Sequence, residues 1–152
     1  MKITSFLILA ILLVGLTPRA HAADLYANAV VAQSYNVLTP TNSVGAPDSM
    51  YADFMTDETY VKLDMGEGEE GRDGLIVYMS LLDYGATAVV TYYGADGAVL
   101  GTDNTLFSPG QTEWVADYWG TEPYRFVLIE SIETERWRLD SIQASAINTP
   151  SQ

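Results

Sequence analysis

The side chains that could do chemistry in this sequence are mostly carboxylates. It contains twenty Asp and Glu residues, no Cys, and a single His, His21, which lies in a segment that we expect to be removed. The remaining chain therefore lacks the residues for a Ser-His-Asp arrangement, a thiol nucleophile or a zinc site built on His or Cys. Two carboxylates flanking a glycosidic bond remain conceivable, but no pair among twenty stands out. We therefore predict a protein that is not an enzyme and has no catalytic residues.

The segment that contains His21 has the pattern of an export signal. Lys2 precedes an apolar run over residues 6–16, and the small-residue sequence Ala20-His21-Ala22 follows it. This order is typical of a cleavable signal peptide, here residues 1–22. The apolar run is shorter than the roughly 20 residues of a membrane helix, which argues against an uncleaved anchor. We expect a secreted or periplasmic protein whose mature form is not inserted in a membrane.

The net charge of the chain after residue 22 argues against some classes of binding partner. The chain after residue 22 has five basic and twenty acidic residues, so its formal net charge is 5 − 20 = −15. Such a charge disfavours nucleic acid and anionic membrane surfaces, which bind through Lys and Arg. It permits cation binding by oxygen ligands, although solubility is the simpler explanation for most of the acidic residues.

The hydrophobic pattern of the mature chain predicts strands. Residues 60–65 and 113–118 alternate between apolar and polar side chains, as half-buried strands do. Residues 75–82 and 124–129 are apolar on nearly both faces, which predicts central strands covered by a second layer. About eight such segments are present, so we predict an all-β antiparallel sandwich over residues 23–148, followed by a flexible tail over 149–152.

Two connections carry clear turn chemistry. Asp96-Gly97 separates the β run over residues 87–93 from a short run at 99–100, which predicts a hairpin. Residues 66–74 form a charged glycine-rich loop that we expect to be exposed and mobile. The loop contains G-x-G-x-x-G, but a strand pattern follows it where a dinucleotide site requires a helix, so we reject that function.

Three segments resemble one known superfamily. Residues 42–54 contain G-A-P-D-S-M-Y-A, residues 60–66 end in L-D-M-G, and residues 137–144 contain L-D followed by an aliphatic strand. In this order they resemble the galactose-binding-domain-like superfamily, which includes discoidin domains and carbohydrate-binding modules. The resemblance spans about residues 27–146 and implies a β-sandwich jelly roll whose last strand returns beside the first.

The resemblance also implies a function and a metal. Relatives mostly bind carbohydrates or other cell-surface ligands, and many hold one structural calcium ion. Asp48 and Asp140 match acidic positions of the resembling motifs and are the candidate calcium ligands. Asp48 has an alternative role as a turn residue after Pro47, and Asp140, if buried, could instead pair with an arginine.

A sugar-binding surface needs exposed aromatic rings beside hydrogen-bonding groups. Tyr84 and Trp119 lie in short glycine-containing loops, with Arg125 near the second loop, so these three residues are the candidate ligand-binding set. The alternative is that the rings cover the ends of the core. We predict a secreted, non-catalytic module that binds an extracellular glycan or another surface ligand. The alternative function is a structural or adhesive extracellular protein that binds another protein.

Overall fold

The computed structural model describes residues 24–56, 58–68, 70–81, 85–132, 136–144 and 147–148. The predicted signal peptide and the tail at 149–152 lie outside these residues. The strands within them are β1 Leu25–Tyr26, β2 Ala29–Gln33, β3 Val37–Leu38, β4 Ala52–Phe54, β5 Thr59–Asp64, β6 Glu70–Gly71, β7 Leu75–Leu81, β8 Ala86–Tyr93, β9 Val99–Phe107, β10 Glu113–Ala116, β11 Phe126–Ser131, β12 Trp137–Ala144 and β13 Ile147–Asn148, with a 3₁₀ helix over Pro40–Ser43. Eight of these strands have four residues or more. No helix in this part of the chain has the length and hydropathy needed to cross a bilayer.

The strands form two antiparallel sheets that pack face to face. The first sheet has the order β10-β7-β12-β4-β3, with β1 also paired to β12, and the second has the order β2-β5-β11-β8-β9. A small third sheet pairs β13 with β6. The last long strand returns beside the first, since Ala144 pairs with Leu25. The predicted all-β sandwich of jelly-roll type is confirmed.

The core between the sheets is built from alternate residues of each strand. In β5, Val61 and Leu63 are fully buried, and Tyr60 and Lys62 on the opposite face are partly exposed. The alternation predicted for residues 113–118 is also confirmed, because Trp114, Ala116 and Tyr118 are buried. A cystine-free chain depends on this core for its stability, and each fully buried aliphatic or aromatic side chain contributes about 1.5–3 kcal/mol.

Aromatic rings concentrate at the two ends of the core. At one end the Trp137 ring stacks on Phe54 with centroids 4.3 Å apart and lies 5.4 Å from Phe107. At the other end the ring of Tyr92 lies 4.8 Å from both Tyr118 and Tyr124. Contacts of this kind add about 0.5–1.5 kcal/mol each beyond the area they bury.

Three expectations about the strands need correction. The β7 and β11 strands are central, as predicted, but only one face of each is in the core, and residues such as Ile76 and Leu128 lie partly exposed on the outer faces. The short run expected at 99–100 is the start of the nine-residue β9. Because β9 is the edge strand of its sheet, it tolerates polar residues, and these residues made most of the strand resemble a loop in the sequence. The glycine-rich loop is partly ordered, because β6 lies within it.

Candidate functional site

Three connections meet at one end of the sandwich, which we call the loop end: residues 65–74, 94–98 and 117–125. Their positions follow from the strand register, since Phe126 pairs with both Asp64 and Tyr93 at the ends of their strands. Backbone hydrogen bonds tie the connections together. Gly71 and Tyr124 exchange a reciprocal N–H to carbonyl pair at 2.9 and 2.8 Å, and the N–H of Met65 donates to the carbonyl of Arg125 at 2.9 Å. The loop end is therefore a connected surface.

The buried ring of Tyr118 anchors the loop over residues 117–125. The ring packs against Tyr124 with centroids 5.0 Å apart, and its hydroxyl donates to the backbone carbonyl of Glu122. Gly120 lies so close to this ring that a Cβ at that position would overlap the tyrosine hydroxyl. The loop thus folds tightly over Tyr118 and leaves its neighbour, Trp119, on the outside with 85% of its surface exposed.

The loop end contains a cavity of about 360 Å³. Its wall consists of three acidic residues and five small or apolar ones, namely Glu70, Asp96, Glu122, Gly94, Ala95, Ala98, Leu100 and Pro123. The volume lies in the range of small-molecule sites in proteins, which is about 300–1,000 Å³. Two of the lining residues, Glu122 and Pro123, belong to the loop that carries Trp119. The exposed Trp119 ring and the cavity carboxylates therefore belong to the same group of loops.

Arg125 is committed to an ion pair at the same end. Its Nε and Nη2 donate to the two carboxylate oxygens of Asp64, each at 3.1 Å, and its guanidinium carbon lies 5.1 Å from the Phe126 ring centre. Burial raises the pKa of Asp64, but the hydrogen bonds from Arg125 and from the N–H of Gly66 outweigh it, so that this pKa lies below its usual value. The pair holds the start of β11 against the end of β5.

The buried tyrosines at the loop end of the core, Tyr92 and Tyr124, are hydrogen-bond donors. Burial is the main cause that raises the pKa of Tyr92 and of Tyr124 well above the usual value, so both phenols stay protonated. The hydroxyl of Tyr92 donates to the carbonyl of Ala116 at 3.1 Å, and that of Tyr124 donates to the carbonyl of Asp73 at 3.1 Å. These bonds fasten both loops to the core.

The structure brings together two of the three candidate ligand-binding residues. Trp119 and Arg125 share the loop end, with Trp119 free at the surface and Arg125 paired to Asp64. Tyr84 lies outside the described residues. Its described neighbours Leu81 and Gly85 lie at the opposite end of the sandwich, where Leu81 pairs with Trp137.

Asp48 and Asp140 are also neighbours, but the contact between them is a hydrogen bond from the backbone of Asp48 to the carboxylate of Asp140. The two carboxylate oxygens of Asp140 accept the N–H groups of Asp48 and Ser49, each at 3.1 Å, and only 7% of Asp140 is exposed. Asp48 itself accepts the N–H of Met50 at 2.8 Å, which is the turn role considered from the sequence. A calcium site needs oxygen atoms directed at one point. Here N–H groups converge on the carboxylate, and no three acidic side chains within the described residues are placed to hold a metal. These residues do not fit a calcium ion, and calcium binding stays a prediction of the resemblance.

Sequence reasoning missed the three carboxylates of the cavity. Glu70, Asp96 and Glu122 lie far apart along the chain, and solubility was a sufficient role for them. The position of Asp96 in the predicted Asp-Gly hairpin turn was the one available indication, because a hairpin turn must lie at an end of the sandwich. Which other loops share that end depends on the strand order.

Comparisons with known proteins identify the fold. No family model matches the chain, and no curated protein matches it. Among solved structures, a pectin-binding carbohydrate-binding module is similar with a TM-score of 0.57 at 12% identity, over 82% of this chain and 94% of that one. The lectin domain of lectinolysin, complexed with Lewis B antigen, has a TM-score of 0.52 at 12% identity, over 82% and 92% of the two chains. A family 6 carbohydrate-binding module from Clostridium cellulolyticum, in complex with xylose, has a TM-score of 0.52 at 13% identity, over 84% and 97%. The chain has the galactose-binding-like β-sandwich fold, as the sequence motifs indicated.

Proposed function

We propose that this protein is an exported, non-catalytic carbohydrate-binding module that binds its glycan at the loop end. The observation that carries the proposal is the Trp119 ring, 85% exposed in the loop that also supplies two of the eight residues lining a 360 Å³ cavity. Exposing a large ring costs solvation free energy unless a ligand covers it, and sugar rings stack on aromatic faces. The fold supports this function, since three solved structures that share it are carbohydrate-binding modules or a lectin domain.

The composition of the chain supports export and the lack of catalysis. Residues 1–22 have the order of a signal peptide, and the chain after them contains neither His nor Cys. The cavity lining contains no Ser, Thr, Lys, His or Cys, so its carboxylates are the side chains that a catalytic role would have to use. We assign these carboxylates to hydrogen bonding of a bound ligand.

A glycan panel tests the proposal with a matched pair of variants. The mature protein is applied to arrayed glycans and to insoluble polysaccharides, together with W119A and Y35A. Tyr35 is the control because it is 90% exposed but lies at the opposite end of the sandwich, where the N–H of Ser34 donates to the carbonyl of Tyr60. Both substitutions remove an exposed ring, so both variants should fold normally.

We expect wild type and Y35A to retain the same glycan and W119A to lose it. Loss of a ring at the centre of a binding site costs about 2 kcal/mol or more, which is roughly a thirtyfold loss of affinity. Absence of glycan binding in all three proteins, together with co-purification of a protein partner, would contradict the proposal and favour the adhesive alternative.

A further inference from the structure

We infer that the sugar held in the cavity carries an ammonium group, so that the ligand is a glycan with free amino sugars. The inference rests on the proposed function of the loop end and adds the chemical class of the ligand. It follows from the hydrogen-bonding character of the cavity wall, its dimensions and the charges around it.

The cavity wall offers side-chain acceptors only. Its polar side chains are the carboxylates of Glu70, Asp96 and Glu122, and its other side chains, from Gly, Ala, Leu and Pro residues, cannot hydrogen-bond. A carboxylate accepts hydrogen bonds and donates none, whereas a sugar hydroxyl does both. An ammonium group has three donors and no acceptor, which matches such a wall.

Three of the eight lining residues offer no backbone N–H to a ligand. The N–H of Gly94 donates to the carbonyl of Ala98 at 2.9 Å, and the N–H of Ala98 donates to Asp96 Oδ1 at 2.9 Å. Pro123 has no N–H. The hairpin turn uses these two donors internally, so the carboxylates are the charged groups that the wall presents to a ligand.

The spacing of the carboxylates fits an organic cation better than a metal ion. The three side chains surround about 360 Å³, and no three acidic groups among the described residues lie close enough to share a metal. A metal ion requires several oxygens at about 2.3–2.6 Å from one point. A sugar with an ammonium substituent can instead meet separate carboxylates across the cavity.

The cations at the loop end do not reverse its charge. Arg125 is bonded to Asp64 and also interacts electrostatically with Glu70. Lys62 lies over the Tyr93 ring, and Arg72 is exposed. None of the three cations lines the cavity. With a formal charge of 5 − 20 = −15 after residue 22, the surroundings repel uronate and sulfate groups.

A pair of probes that differ only in charge tests the inference. Glucosamine oligosaccharides and the same oligosaccharides after complete N-acetylation are titrated into the mature protein by calorimetry, with polygalacturonate as the anionic probe. We expect the free amines to bind about tenfold or more tightly than the acetylated form, the magnitude of one charge-assisted hydrogen bond. Added salt should weaken this binding, because surface charges are screened.

Two substitutions that neutralise carboxylates of the cavity wall test whether the cavity is the site that prefers free amines. D96N and E122Q keep the size of the cavity side chains, and the amide introduced by D96N retains an oxygen for the N–H of Ala98. E113Q/E130Q is the control that removes the same number of charges, because Glu113 in β10 and Glu130 in β11 lie outside the cavity wall. We expect D96N/E122Q to lose the preference for free amines and E113Q/E130Q to retain it.

The outcomes separate this inference from the function on which it rests. If acetylated or anionic glycans bind equally well or better in a Trp119-dependent manner, the ligand class is wrong but the carbohydrate-binding function stands. If no glycan binds, both fail. If free amines bind preferentially but D96N/E122Q binds as wild type does, the cavity is not the site, and the inference is overturned.

Discussion

Replacing Asp140 by Ala should destabilise the protein through one loop. The Asp140 carboxylate, 7% exposed, accepts the N–H groups of Asp48 and Ser49 at 3.1 Å each. It thereby holds the turn before β4 against the middle of β12. Ser49 has a positive φ of 66°, a left-handed conformation that few non-glycine residues adopt. The substitution would remove the acceptor that both N–H groups share.

The expected cost follows from these two bonds. Each hydrogen bond to a charged group contributes about 1.5–3 kcal/mol when its partner cannot reach water. Asp48 and Ser49 are exposed residues, so water can replace part of the loss once the loop moves. We therefore expect D140A to lower the free energy of unfolding by about 2–3 kcal/mol, and Tm by roughly 5–10 °C for a domain of this size.

Urea denaturation followed by tryptophan fluorescence measures this loss of unfolding free energy. Trp137 is a suitable probe because it is fully buried and lies in β12, the strand that contains Asp140. D48A is the matched control: it removes one hydrogen bond, to the N–H of Met50, in an exposed turn, and should cost less than about 1 kcal/mol. Equal losses in D140A and D48A, or no loss in D140A, would refute the assigned role of Asp140.

Three further predictions concern the metal, the packing and the ion pair. Any rise of the melting midpoint with calcium should be the same in D140A as in wild type, because the groups that converge on Asp140 are N–H donors; a calcium-dependent rise that D140A abolishes would restore Asp48 and Asp140 as ligands. In denaturant titrations, G71A should lower the free energy of unfolding by about 2–3 kcal/mol, because a Cβ at Gly71 would overlap the buried Tyr124 ring. G97A should lower it by only about 1 kcal/mol, because the space around Gly97 is open, and equal losses would refute the packing argument. The pKa of Asp64 is lowered in the folded state, so its pair with Arg125 stabilises the fold above the unfolded pKa of about 4, and that contribution is lost as pH falls through the folded pKa. D64N should be less stable than wild type at neutral pH and should approach it in acid, and a constant difference across the titration would contradict this assignment.

The sequence predicts the layers of this fold well because alternation is a local property. The faces of β5 and β10 could be assigned from residue types alone, and the buried residues follow that pattern. Turn chemistry at Asp96-Gly97 likewise predicts the hairpin between β8 and β9. The length of β9 could not be predicted, since an edge strand exposed to solvent accepts polar residues that look like a loop.

Of the candidate site, the sequence predicts the exposed ring of Trp119 but not the carboxylates of the cavity. Trp119 stood out as a ring beside a glycine in a short loop, and the loop is held in place by Tyr118, its buried neighbour. The cavity carboxylates come from three distant segments, and their meeting depends on the pairing of β11 with β8 and β5. Such pairing is a tertiary property, and one sequence does not record it.

Nuclear magnetic resonance of the tryptophan indole groups tests the glycan-binding surface most directly. The chain has three tryptophans, of which Trp137 and Trp114 are buried and Trp119 is exposed. Substitution of Trp119 by Phe assigns its indole N–H signal in a ¹⁵N-labelled sample, and the glycan selected by the panel is then titrated. We predict that the Trp119 signal shifts progressively with added glycan and that the signals of Trp114 and Trp137 stay in place. Saturable glycan binding with an unmoved Trp119 signal would contradict the assignment of the loop end as the binding surface.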